Sequence, residues 1–98
     1  MDSIGAQRLT ANGAVGTSGA DIRIFGIAVR AGAGGDTVVH LRNGTADTAA
    51  IWDSFDAAAS TTTRVKYPGG LLLVGGAYID LDADANTSFV TVTYQHNQ

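Results

Sequence analysis

The chain has 98 residues, of which 45% are hydrophobic and only 15% charged, with thirteen glycines, sixteen alanines, eleven threonines and no glutamate. So apolar a composition is not that of a disordered tail, and a chain without glutamate and with one lysine lacks the usual surface helix formers. The absence of cysteine excludes a disulfide framework, a cysteine zinc site and a thiol nucleophile, and a net charge of −3 argues against nucleic acid as a partner.

In chain order, Ile4 to Leu9 has the length of a short strand, followed by a loop through Asn12-Gly13 and the Gly16–Gly19 cluster. Asp21 to Ala31 reads as the first long strand. Both of its alternating faces look apolar, Ile22, Ile24, Ala28 on one and Phe25, Ile27, Val29 on the other, so it is expected to be covered on each side, by a second sheet or by another chain. Gly32-Ala33-Gly34-Gly35-Asp36 then breaks the pattern and leads into Thr37–Asn43, where Val39 and Leu41 oppose Val38, His40 and Arg42. This stretch reads as a hairpin that exits through the Asn43-Gly44 turn.

Residues 47–60 fit two periods. Ala50, Ile51, Phe55, Ala58 and Ala59 fall at helical spacing, whereas Ala49, Ile51, Asp53, Phe55 against Ala50, Trp52, Ser54 alternate as in a strand. The following threonines favour strand, which is the reading adopted for 49–55. Thr62 to Tyr67 is read as a strand ended by Pro68-Gly69-Gly70, with Leu71–Val74 a separate buried strand. Gly75-Gly76 bends the chain into Ala77–Leu81, and Thr87 to Gln95 closes the domain with Val90, Val92 and Tyr94 inward. About eight short strands separated by turn signals predict one all-β domain over residues 1–98. The expected architecture is an antiparallel β-sandwich, jelly-roll or immunoglobulin-like.

Chemical motifs are few. Asp80, Asp82, Asp84 and Asn86 alternate like the opening of a calcium loop, but Ala85 stands where the loop glycine belongs and Thr91 where its bidentate acid belongs. The plainer reading is a strand end with solvated acids, and no metal or other cofactor is expected. The glycine run at 32–35 precedes a strand, not a helix, and so is a loop and not a phosphate cradle. His40 and His96 lack a Gly-x-Ser-x-Gly elbow, and no enzymatic activity or catalytic residue is expected. Asn43-Gly44-Thr45 and Asn86-Thr87-Ser88 match the glycosylation sequon but read as turns. Met1–Gly5 carries no secretory signature, and the longest aliphatic run, Leu71–Val74, is far too short to cross a membrane. Synthesis in the cytoplasm and no membrane partner are therefore expected.

Four segments carry a resemblance. They are Ile24-Phe25-Gly26-Ile27-Ala28-Val29 with its glycine loop, Val38-Val39-His40-Leu41-Arg42-Asn43-Gly44, Pro68-Gly69-Gly70-Leu71-Leu72-Leu73, and the closing Tyr78-Ile79-Asp80-Leu81 with Val90-Thr91-Val92-Thr93-Tyr94. Asp21 to Tyr94 resembles the small β-structured virion proteins of tailed bacteriophages, especially those of marine and cyanobacterial phages, and departs most from them over Asp47–Thr63. The resemblance implies a decoration or cement protein on the capsid exterior, made in the host cytoplasm and bound to the major capsid protein, or else an accessory of the tail or neck. Low charge and many small residues suit burial against other subunits. A homo-oligomer is expected, a trimer by preference, with residues 1–10 as an N-terminal arm over a neighbour. Ile4, Leu9, Trp52, Phe55 and Tyr67 are the expected interface anchors. A small carbohydrate-binding module, with Trp52 stacking on sugar rings, is the alternative from another class.

Overall fold

A computed structural model describes residues 3–82 and 86–97. The described residues form eight strands and no helix: β1 (Gly5–Leu9), β2 (Gly13–Ala14), β3 (Ile22–Ala31), β4 (Thr37–Asn43), β5 (Ala50–Ala57), β6 (Thr62–Leu73), β7 (Ala77–Leu81) and β8 (Thr87–His96). They build two four-stranded antiparallel sheets, sheet I in the order β1-β8-β3-β6 and sheet II in the order β2-β7-β4-β5. The chain pairs first with last, second with seventh, third with sixth and fourth with fifth. That is one long antiparallel ribbon folded across two layers, the jelly-roll winding of a β-sandwich.

The core between the layers is aliphatic. Val15, Ile22, Ile24, Ile27, Val29, Ala31, Val39, Leu41, Ala57, Leu73, Ala77, Ile79, Leu81, Val90 and Val92 are all buried. Each fully buried valine, isoleucine or leucine contributes roughly 1.5–3 kcal/mol of transfer free energy, which is the main force holding the layers together. One polar contact bridges the layers inside this core: the hydroxyls of Thr37 on β4 and Thr87 on β8 lie 2.6 Å apart, so neither is buried without a partner.

Four sequence expectations need correction. Within the chain, β3 is covered on one side only. Its ladders with β6 and β8 both shift register between Ile24 and Gly26, so Ile22 and Ile24 face inward before the bulge and Ile27, Val29 and Ala31 after it. One inward face, shifted in phase by one residue, mimics two apolar faces when read at strict period two. Second, the glycine loop at 32–36 is not a hairpin turn, because β3 lies in sheet I and β4 in sheet II. The loop carries the chain across the sandwich, and the hairpin in this region is β4–β5.

Third, β6 continues through Pro68-Gly69-Gly70 as a single twelve-residue strand. Leu71 pairs with Ile24 and Lys66 with Gly26, so residues 67–70 form a bulge opposite Phe25. Gly70 makes the bulge possible. Its φ is 87°, and a Cβ there would come within 2.6 Å of Arg23 side-chain carbons. Last, the stretch read as a loop at Asn12-Gly13 includes a two-residue strand, β2, paired with β7. The ambiguous residues 50–57 are strand, and β4 and β7 face as expected, with Val39, Leu41, Ala77, Ile79 and Leu81 inward.

Candidate functional site

β5 is an edge strand of sheet II, and its backbone does not run straight along β4. Leu41 pairs with Asp53 and Arg42 with Ile51, which leaves Trp52 as the extra residue of a β-bulge. The bulge turns two large apolar side chains toward solvent, Ile51 at 50% and Trp52 at 55% relative exposure. The Trp52 indole Nε1–H donates to Asn43 Oδ1 at 2.7 Å, and the Asn43 amide donates in turn to the Val74 carbonyl at 2.7 Å. Val74, expected within a buried strand, lies past the end of β6 and is 61% exposed. Asn43 thus links Trp52 and Val74 at one corner of the sandwich, with Ile51 next to Trp52 on β5 and the indole fixed in orientation although it is solvent-facing.

The five expected anchors divide. Ile4 is exposed beside β1, on the far edge of sheet I, and Trp52 is exposed at the β5 corner. Leu9, Phe55 and Tyr67 instead pack on the flank of the core. The Tyr67 hydroxyl donates to Asp53 Oδ2 at 2.7 Å and ties β6 to β5 where the two sheets meet. Burial first, then the hydrogen bond and the negative charge of Asp53, hold the Tyr67 phenol in its neutral form well above the ordinary tyrosine range. Residues Gly5–Leu9 of the expected arm pair along their whole length with β8 and form the edge strand of sheet I.

A polar network covers the outer face of sheet II. Ser54 on β5 sits directly opposite His40 on β4, with Ser54 Oγ 2.6 Å from His40 Nδ1 and Asp82 Oδ2 2.9 Å from His40 Nε2. One turn of pleat along, Arg42 donates from Nε to Asp80 Oδ2 at 2.9 Å, and its NH2 lies equally close to the same oxygen. Asn12 completes the cluster. Its amide donates to Asp80 Oδ1, and its own oxygen accepts the Leu81 N–H. Neither side chain of the Arg42–Asp80 pair is more than 16% exposed, so removing one partner would strand a poorly hydrated charge.

The order Ser54–His40–Asp82 is that of a nucleophile, base and orienting acid. Chemistry of that kind also needs donors for an oxyanion. The Ser54 N–H, the first candidate, is donated to the Asp53 carboxylate at 2.9 Å. The three side chains link β5, β4 and the end of β7 through these hydrogen bonds. Of the alternating acids, Asp80 and Asp82 are engaged by Arg42 and His40, and Asp84 lies outside the described residues. Among the described residues no group of three or more metal-ligating side chains converges.

The outer face of sheet I is built differently. Arg8, Arg23, Arg30, Arg64 and Lys66 all lie in its strands, and those strands contain no aspartate. A shallow open depression of about 170 Å³ is floored by Gly26 and Ala28 and walled by Arg64, Lys66, Thr91 and Thr93. Sequence reasoning missed both this face and the sheet II network. The pairs lie on different strands, and only strand order brings them together. Parity along each strand was the available signal, since Arg23 alternates with Ile22 and Ile24, and Arg64 with Val65. No family model, no curated protein and no solved structure matches this chain.

Proposed function

We propose that the protein is a non-enzymatic structural subunit of a virion, a decoration or cement protein that binds the outer surface of a bacteriophage capsid through the β5 corner. The exposed Ile51–Trp52–Val74 cluster on an unpaired edge strand carries this reading. Edge strands with large exposed apolar side chains are a liability in a free monomer, and natural proteins cover or charge them. Here the bulge holds the apolar residues outward and Asn43 fixes the indole, so the surface is ordered before any partner arrives. Tryptophan is also the residue type that most often dominates binding energy at interfaces.

The resemblance to phage virion proteins and the jelly-roll winding, an architecture that capsid proteins share with lectins and cupins, point the same way. In this reading the major capsid protein is the partner, and copies of the chain associate as a trimer, so that several weak corners engage the shell at once. A tail or neck accessory would use the same surface. Decorated particles should survive heating or osmotic shock that bursts bare ones, and Trp52→Ala protein should give no protection. Equal survival of bare and decorated particles would remove the cement role.

A second reading has its own observation. A tryptophan more than half exposed and oriented by Asn43 is also a surface on which a sugar ring stacks. Glycan-array binding by the isolated chain, lost in Trp52→Ala, would favour a carbohydrate-binding module over the cement role.

A further inference from the structure

We infer that the outer face of sheet I binds single-stranded nucleic acid, with Arg64 and Lys66 holding phosphates over the depression floored by Gly26 and Ala28. This goes beyond the capsid-binding reading and rests on a different surface. Five of the chain's six lysines and arginines lie in the four strands of this sheet, which hold no aspartate. The described aspartates are elsewhere, at 21, 36, 47 and 82 in loops and at 53, 56 and 80 in sheet II. The net charge of −3 therefore hides a cationic face.

Among the described residues none of these five cations has a carboxylate partner, whereas Arg42, the sixth, is paired with Asp80. A flat face carrying unneutralised charge of one sign focuses its field outward and recruits a ligand of the opposite sign. The floor is made of the smallest residues, Gly26 and Ala28. Ala28 pairs with Arg64 on one side and Thr91 on the other, and Gly26 with Lys66 and Thr93. A chain laid along β3 would thus meet cations on its β6 side and hydroxyls on its β8 side, both suited to phosphate oxygens.

Aromatic surface separates a nucleic acid from other polyanions. Arg8 stacks on Phe89 with its guanidinium carbon 4.4 Å from the ring centre, which presents a planar cation to a base. At the other end Phe25 flanks the Gly70 bulge beside Arg23. Cations along a groove with stacking surfaces near its ends are the elements of single-strand binding, and a duplex cannot bring its bases to them.

The test is fluorescence anisotropy of the full chain with a labelled twenty-nucleotide oligo(dT) across a series of salt concentrations. Binding should be saturable, and log K should fall with log salt at a slope near −3.5 if all five cations meet phosphates. Arg64→Gln with Lys66→Gln should make that slope shallower by about 1.4. Arg8→Gln with Arg30→Gln should do the same, and circular dichroism of each variant confirms its fold. Asp56→Asn, on the other sheet, should leave binding unchanged. Absence of binding at low salt, or a slope unmoved by both double variants, overturns the proposal. Competition by polyglutamate at equal charge, or equal affinity for a duplex, would assign the face to carboxylates or to bare phosphates and overturns it equally.

Discussion

The two outer faces of this sandwich use charge in opposite ways. On sheet II the one strand cation is paired, Arg42 with Asp80, while His40 is hydrogen-bonded to Asp82 and Ser54 and Asn12 lies between Asp80 and Leu81. On sheet I, five cations stand without carboxylate partners among the described residues. Matched and partly buried charge serves the fold, because each group is left badly solvated if its partner goes. Unmatched exposed charge contributes little to the fold and is free to act on something outside it. The difference separates residues that hold this protein together from those proposed to address a partner.

Substitutions on the matched face should show the larger effects. Asp80→Ala leaves Arg42 in a poorly hydrated site and removes the acceptor of Asn12, so a loss of about 3 kcal/mol is expected in urea unfolding. A loss below about 1 kcal/mol would mean that the cluster is solvated and that the contrast between faces is false. His40→Ala removes two hydrogen bonds from a more open site and should cost about 1 kcal/mol by the same measurement.

Where the sheets meet, Tyr67 gives a pH signature. Its phenol is raised in the folded state, so above the unfolded value near 10 the native chain binds more protons than the unfolded one. Stability from this group is therefore intact at neutral pH and falls as pH rises past 10. Tyr67→Phe should lose less stability than the native chain between pH 10 and 11.5, and parallel pH curves for the two would contradict the assignment. The smallest effect belongs to the unmatched face. Arg64→Gln with Lys66→Gln should change stability by no more than about 0.5 kcal/mol, with relief of like-charge repulsion offsetting lost contacts. A large destabilisation there would show that these cations serve the fold after all.

How much of this was legible beforehand depended on local regularity. β7 was read correctly because five residues alternate without interruption, Ala77, Ile79 and Leu81 inward and Tyr78 and Asp80 outward or at the rim. β3 was misread because a bulge at Phe25 shifts the phase of its inward residues. Pro68-Gly69-Gly70 reads as a strand end because its residues favour turns. The ladder with β3 nevertheless resumes at Leu71 and keeps the strand whole. The glycine loop after Ala31 announced a bend but not which layer the chain would enter, since turn chemistry is local and layer choice is not. The β-sandwich followed from composition and spacing.

The candidate sites were less legible than the fold. Trp52 was singled out as a lone tryptophan, and the structure leaves it exposed with Ile51 and Val74. Phe55 and Tyr67 looked equivalent to it in sequence, yet they support the core. What distinguishes them is the bulge at Trp52, which depends on the register of β5 against β4. The charge asymmetry was hidden for a related reason. Net charge sums over both faces, whereas a partner meets only one of them.

If the β5 corner serves association and not folding, one paired measurement on Trp52→Ala will show it. Thermal unfolding and co-sedimentation with undecorated particles should be recorded on the same preparation. The melting temperature should stay within about 2 °C of the native chain, as for a surface substitution, while particle binding is lost. Retained binding, or a fall in melting temperature of about 8 °C or more alongside the loss, would contradict it, because the indole would then belong to the fold.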